Sequence, residues 1–512
     1  MTQPDLEPRH TKPLDKQDEP QFVTEEKLEQ IAELNDDEYI DEIYEIIDAV
    51  VPRTDDNTLP ALTFRVWVLG LGFGILLCVA NTIFSFRTNG NSVSAFVAVL
   101  LAYPCGLFLE KILPKGIFNP GPFNHKEHAL IYVMTSGMGA NVYALYNVIG
   151  QKYQLYQDLN TAWAVIFVLV TQCFGYSFAG LARRYLVRPA AMLWPANLST
   201  IAMLNSLHGN TDPSNGRYPM SRFKFFWLAT SAAFFYHLLP QYAMPFLGAI
   251  SVICFFVRGK ADNKIALALG SAQPGGGVGI LSFGFDWTQF NSYFAPITSP
   301  LWAIVNQFVG TWTIQWIIVP LAWYFNFFGK DQAIGAGSPY GMTLNSPGLY
   351  NLNGTGLDKK EFVLKDPNDP KNLILNQAFY DLNKPVYITT LFAISYMSSF
   401  AVFVAAIMHV ALWYGKDIWH RFRSAMSDLD KNDIHCQLMD AYDEVPDWWY
   451  YTLLLIMTVL GITVCEVGGF SLPWWGVVIA VILALVSIIP IGTIQALTGQ
   501  QIGLNVMSEF LI

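Results

Sequence analysis

Apolar stretches long enough to cross a bilayer recur along this chain, and they leave it few possible folds. A span needs ~20 apolar residues, and only helices or closed barrels satisfy their own backbone inside hydrocarbon. The expected helical spans cover residues 62–85, 93–113, 129–150, 161–182, 189–208, 223–257, 298–327, 386–414, 447–468 and 473–497. Composition agrees, since 53% of residues are hydrophobic and only 14% charged, against about 25% charged in soluble domains. The sequence therefore predicts an all-α, polytopic transmembrane helix bundle of about 10–11 spans over residues 61–512.

Several spans are expected to be broken. The stretch 223–257 is too long for one straight crossing, and Pro240 and Pro245 would kink or split it. Residues 265–286 are apolar but include PGGGVGILSFGFDW, which reads as a broken or re-entrant segment lining a cavity, because bare glycine backbone facing lipid leaves amides unpaired. Its glycines follow no parallel-sheet strand, so a dinucleotide loop is a poor reading.

Outside the bilayer, residues 1–60 form an acidic tail in which apolar residues recur at helical spacing, predicting short amphipathic helices in the cytosol. Such acidity argues against nucleic acid and anionic lipid as partners of this segment. Basic residues cluster after the fourth, sixth and eighth spans (Arg183, Arg184 and Arg188; Arg258, Lys260 and Lys264; Lys416, Arg421, Arg423 and Lys431). With the N-terminus inside, all three clusters are cytosolic. Residues 415–446 then form a cytosolic loop and 329–385 an extracellular or lumenal one, carrying a glycosylation sequon at Asn353. The sequon at Asn197 lies within a span. The six cysteines are scattered without a paired motif and read as small apolar residues; no metal-ligand spacing occurs.

The segment NPGPFNHKEH, from Asn119 to His128, places polar and ionisable side chains beside a Pro-Gly-Pro break between two spans. Such breaks are kept where polar cargo or ions are handled; the plain alternative is an interfacial loop whose cations reach headgroups. Asn119, Pro120 and Gly121 are candidate substrate-binding or helix-break residues. Glu127 and His128 are a candidate proton-coupling pair, because histidine titrates near neutral pH, although Lys126 could equally neutralise Glu127 in a structural clasp. The helix after Asn124 would aim its positive end at anionic groups of the cargo. Within the spans, Asn205, His208, His237, Gln241 and Gln501 are further candidate binding residues, each with an interhelical hydrogen bond as the plain alternative. Glu466 lies late in an apolar span; it is a proton-coupling candidate if buried and an ordinary solvated carboxylate if it reaches the outer interface.

NPGPFNHKEH resembles the hallmark segment of the oligopeptide transporter family. WPANLSTIAMLNSLHG (194–209), GGVGILSFGFDWTQF (276–290), SPLWAIVNQFVGTWTIQWIIVPLAWYFN (299–326), NDIHCQLMDAYDEVPDWWYY (432–451), LPWWG (472–476) and IPIGTIQALTGQQIGLNV (489–506) are similar to the same family. The peptide-transporting fungal and plant branch is the better match. The resemblance implies a multi-pass membrane protein, most commonly of the plasma membrane and in some members of vacuolar or Golgi-type membranes. It would be no enzyme and use no cofactor, importing tetra- or pentapeptides, or glutathione, with protons as the driving ion. Family members are generally longer and carry a second hallmark, KIPPR, which is absent here, so a truncated, transport-inactive form is one alternative. Transport of a metal chelate or a siderophore-like molecule is another.

Overall fold

The computed structural model describes residues 50–503, apart from 53, 87–91, 141, 190–191, 209–219, 221, 257–263, 271–276, 287–298, 328–343, 347, 353, 366, 368–372, 417, 420–433 and 471. The acidic tail up to residue 49 and the sequon asparagine Asn353 lie outside the described residues.

The architecture is all-α and polytopic. The long apolar runs become α1 (Phe64–Ser85), α2 (Ala95–Ile112), α3 (His125–Gly139), α4 (Tyr143–Ile149), α5 (Thr161–Leu186), α6 (Pro195–His208) and α7 (Arg222–Leu238). After the short helices α8 (Val252–Phe256) and α9 (Lys264–Gly270) come α10 (Leu301–Trp312) and α11 (Val319–Tyr324), joined by a π-helical stretch at Thr313–Ile318. The short α12 (Gln377–Asn383) precedes α13 (Thr390–Trp413), and α14 (Ile434–Met439), α15 (Asp447–Val467) and α16 (Trp474–Thr498) complete the described helices. Among the described residues, six helices (α1, α2, α5, α13, α15 and α16) are long and apolar enough to cross a membrane.

Fewer helices than expected cross unbroken, and the backbone shows why. The stretch read as one span at 129–150 is two helices, because α3 ends at Gly139 and α4 begins at Tyr143 before a π-helical turn at Gly150–Gln154. The stretch 223–257 divides where proline withholds its amide: α7 stops at Leu238, a π-helical turn holds Pro240, and a 3-10 turn starts on Pro245. The chain then leaves helix altogether. Strand β1 (Ile250–Ser251) pairs antiparallel with β2 (Ser282–Phe283) at the end of the glycine-rich segment. Val278 and Ile280 donate their amides to the carbonyls of Ala268 and Leu269 at the end of α9. The two interrupted stretches thus satisfy each other's backbone, as non-helical chain in an apolar sequence must.

Two helix groups carry the packing. In the first, α1 lies along α3 with α2 against both, around Val66, Leu69, Ala102, Phe123 and Ile131. In the second, α5 lies along α15, and α16 packs on α5, α13 and α15. The α1–α3 contact depends on two glycines one turn apart. A Cβ on Gly70 would sit 2.7 Å from Met134 Sδ, and one on Gly74 would sit 2.5 Å from Met138 Sδ. Small residues at four-residue spacing let membrane helices approach this closely. Gly74→Ile should therefore lower the unfolding free energy by about 1–3 kcal/mol, measured by thermal unfolding in nanodiscs. Gly72→Ala is the control and should be close to neutral, because nothing lies within 4 Å of that position.

Candidate functional site

The segment from Asn119 to His128 folds back along the end of α2. Asn119 donates from Nδ2 to the carbonyls of Glu110 (2.7 Å) and Leu113 (3.1 Å), and the Glu110 carboxylate accepts from the Phe123 amide (2.8 Å). The turn is formed at Gly116, whose φ of +133° suits glycine alone, and Gly116 and Asn119 bond each other's backbone in both directions. Gly121 has no such demand on it; its contribution is its carbonyl.

That fold-back surrounds a residue absent from the sequence-level candidates. Arg65, in the first turn of α1, is fully buried, as is Glu127. Arg65 Nη2 bonds both carboxylate oxygens of Glu127 at 2.9 Å, and Nη1 bonds the Gly121 carbonyl at 3.0 Å and Asn119 Oδ1 at 3.2 Å. Thr63, the residue preceding α1, gives its hydroxyl to the Glu127 carboxylate instead of capping its own helix. Glu127 also completes a capping box: Asn124 Oδ1 accepts from the Glu127 amide (3.0 Å), and Glu127 Oε2 accepts from the Asn124 amide (3.1 Å). One signal for Arg65 was present in the sequence, a single cation at the mouth of an otherwise uncharged 22-residue run.

These contacts correct two sequence readings. The positive end of α3 is occupied by Asn124 and Glu127, so it is not open to a cargo carboxylate. Glu127 pairs with Arg65, and Lys126 does not neutralise it; Lys126 points away, pairing with Asp55 (2.7 Å), the Asp56 carbonyl (2.7 Å) and the Tyr442 hydroxyl (2.6 Å). Tyr442 in turn bonds Asp55. The hydrogen bond from Lys126, reinforced by that from Tyr442, holds the Asp55 carboxyl below its usual range. A depressed carboxyl stabilises above its unfolded pKa and loses that contribution as pH falls through its folded value. The Asp55–Lys126–Tyr442 clasp therefore persists at neutral pH and loosens only on acidification below the ordinary carboxylate range.

His128 belongs to a different set of contacts from its neighbour Glu127. It is fully buried, with Nε2 2.8 Å from the Val99 carbonyl and Nδ1 2.8 Å from Nε2 of His208, the last residue of α6. The rings of Tyr103 and Phe123 lie against both imidazoles. The pair joins α3 to α6, where Leu204 and Leu207 pack with Val99 and Phe226. Beside it, a groove of about 440 Å³ between α6 and α7 is lined by Ser206, Phe225, Phe226, Ala229, Thr230 and Ala233.

The remaining candidates are dispersed. Asn205 bonds the Val50 carbonyl (2.7 Å). Gln241, in the π-helical turn after α7, donates to the buried carboxylate of Asp286 (3.1 Å), with His237 Nδ1 3.9 Å from the same group. Asp286 thus gathers two of the predicted residues at the second break. Glu466 is exposed at the end of α15, not buried among the helices, and accepts from the Trp474 amide at the start of α16 (2.9 Å). Pro120 and Gln501 are exposed. Arg183, near the end of α5, reaches Asp447 (3.0 Å) and Glu444, and Arg188 also pairs with Glu444, so the basic cluster after the fourth span fastens the chain leading into α15.

A polytopic, all-α membrane protein with interrupted helices and buried charge at one of the breaks is the class this arrangement defines. The chain matches the family described as OPT oligopeptide transporter protein over residues 61–512, and it belongs to that family. It is 34% identical over 475 residues to oligopeptide transporter 7 of Arabidopsis thaliana, covering 90% of this chain and 59% of the relative. It is 35% identical over 523 residues to oligopeptide transporter 1 of the same plant, covering 98% and 65% respectively. Identity to the sexual differentiation process protein isp4 of Schizosaccharomyces pombe is 32% over 487 residues, covering 92% and 59%. The chain thus spans about three fifths of the length of these relatives. No solved structure matches it.

Proposed function

We propose that this protein carries short peptides across a membrane, most simply the plasma membrane, driven by protons moving with them. The observation that carries the reading is the fully buried set of Arg65, Glu127 and His128 at the fold-back of residues 119–128, in a member of a family whose named relatives are oligopeptide transporters. Ionisable groups deep in membrane helices are costly and mark solute or proton pathways, and interrupted helices are where carriers form such sites.

Roles within the cluster differ. Arg65 and Glu127 satisfy one another's charge and act as scaffold, whereas His128 and His208 form the titratable part. Gln241, His237 and Asp286 at the second break are a candidate contact for polar groups of the peptide. The basic residues Arg183 and Arg188 face the cytosol, following the positive-inside rule.

Uptake of a labelled tetrapeptide into liposomes carrying the protein, with and without an inward proton gradient, tests the proposal. Accumulation above equilibrium only with the gradient, blocked by unlabelled peptide, is expected. Uptake indifferent to the gradient would contradict the coupling. Block by a metal chelate but not by peptide would assign the chelate reading instead.

A further inference from the structure

We infer that His128 and His208 form a one-proton site in which the ionisable atom is Nδ1 of His208, and that a second proton breaks the contact between the two rings. The inference deepens the proton-coupled reading and rests on it for its biological meaning, but the geometry stands alone. A backbone carbonyl can only accept, so the 2.8 Å contact to Val99 fixes a proton on His128 Nε2. In the neutral ring the other nitrogen is then an acceptor, and the 2.8 Å contact to His208 Nε2 needs a proton on that atom. The chain of donors runs from His208 to His128 to Val99. His208 Nδ1 is the lone pair left over, with no hydrogen-bond partner among the described residues.

Exposure agrees with this assignment. His128 is fully buried with both nitrogens engaged, while His208 is only partly buried. A proton added to His208 Nδ1 leaves every existing bond intact and strengthens the donor facing His128. A further proton has only His128 Nδ1 to occupy, and there two N–H groups would confront each other at 2.8 Å. The contact must then break, leaving the apolar packing around Leu204 and Leu207 to hold the two helices.

The groups facing the pair from each packed element are few. From α2 comes Tyr103, and from the fold-back loop Phe123, whose ring also meets the Arg65 guanidinium of α1 at 5.8 Å. From α3 comes His125; Lys126 and Glu127 of the same helix point elsewhere, paired with Asp55 and Arg65. From α7 comes Phe226, which is apolar. The Arg65–Glu127 pair is neutral overall, so the two facing imidazoles are the groups of this cluster that can take up a proton.

Nitrogen-15 histidine NMR of the chain in nanodiscs, titrated from about pH 8 to about pH 3, tests the assignment. The wild-type protein should show His128 protonated at Nε2 throughout the upper part of the range, with the first proton appearing on His208 Nδ1 and the hydrogen bond between the rings retained. Below that step the inter-ring bond should be lost as His128 becomes charged. His128 protonated at Nδ1 at neutral pH, or two charged rings with their bond intact, would overturn the inference. His208→Gln keeps an amide donor toward His128 without a titratable atom, so it should preserve the His128 tautomer and lose proton-driven peptide accumulation. Accumulation unchanged in that variant would remove the pair from coupling. If the wild-type protein accumulates no peptide, the transport reading fails while the NMR titration still decides the proton site.

Discussion

Arg65→Met is expected to lower the unfolding free energy by about 3–5 kcal/mol, the range for removing one partner of a buried ion pair. The loss comes mainly from what remains: Glu127 would be fully buried with its bidentate cation gone, and the Asn119 and Gly121 oxygens would lose their donor. Glu127→Gln should cost a similar amount, because it strands the guanidinium and weakens the acceptor facing Thr63 and the Asn124 amide. The combined variant Arg65→Met, Glu127→Gln leaves no unpartnered charge and should recover much of either loss. Chemical unfolding of the four proteins in detergent micelles closes the double-mutant cycle. Additive losses would show that the two side chains do not act as a pair.

Asn119→Ala is expected to have the second largest effect, about 2–3 kcal/mol for buried hydrogen-bonding groups left unmatched. The side chain of Asn119 holds the carbonyls of Glu110 and Leu113 and accepts from Arg65, so its removal unties the fold-back from α2 and slackens the ion pair together. The neighbouring Gly121→Ala supplies the contrast. Its Cβ would meet nothing within 4 Å and its carbonyl would remain in place, so stability should change little. The same unfolding assay measures both variants, and a Gly121→Ala loss equal to that of Asn119→Ala would contradict the account of the loop.

The fold class was legible in the sequence because bilayer length and hydrophobicity are local properties. Runs such as 62–85 and 473–497 differ from α1 and α16 by only a residue or two at each end. The break at Pro240 was legible because proline withholds its amide, whereas the one after Gly139 was not, because a single glycine inside an apolar run does not by itself end a helix. The Asn119–His128 segment was recognisable as a site from its residue types alone. Its wiring was not, because the partners lie far off in sequence: Arg65 is 62 positions from Glu127, and His208 is 80 from His128. Sequence proximity suggested instead that Lys126 and Glu127 would pair and that Glu127 and His128 would share protons. Consecutive residues on a helix point in different directions, and each of the three found its own partner. Glu466 was placed well by length alone, since the span expected at 447–468 and the helix ending at Val467 agree to a residue.

Simultaneous recording of tetrapeptide entry and internal pH in liposomes carrying the protein tests the central claim most directly. The account predicts that protons enter only when peptide does, and that His208→Gln abolishes this joint movement while Lys126→Gln, which alters only the outer clasp, preserves it. Peptide entering without any accompanying change in internal pH would contradict it.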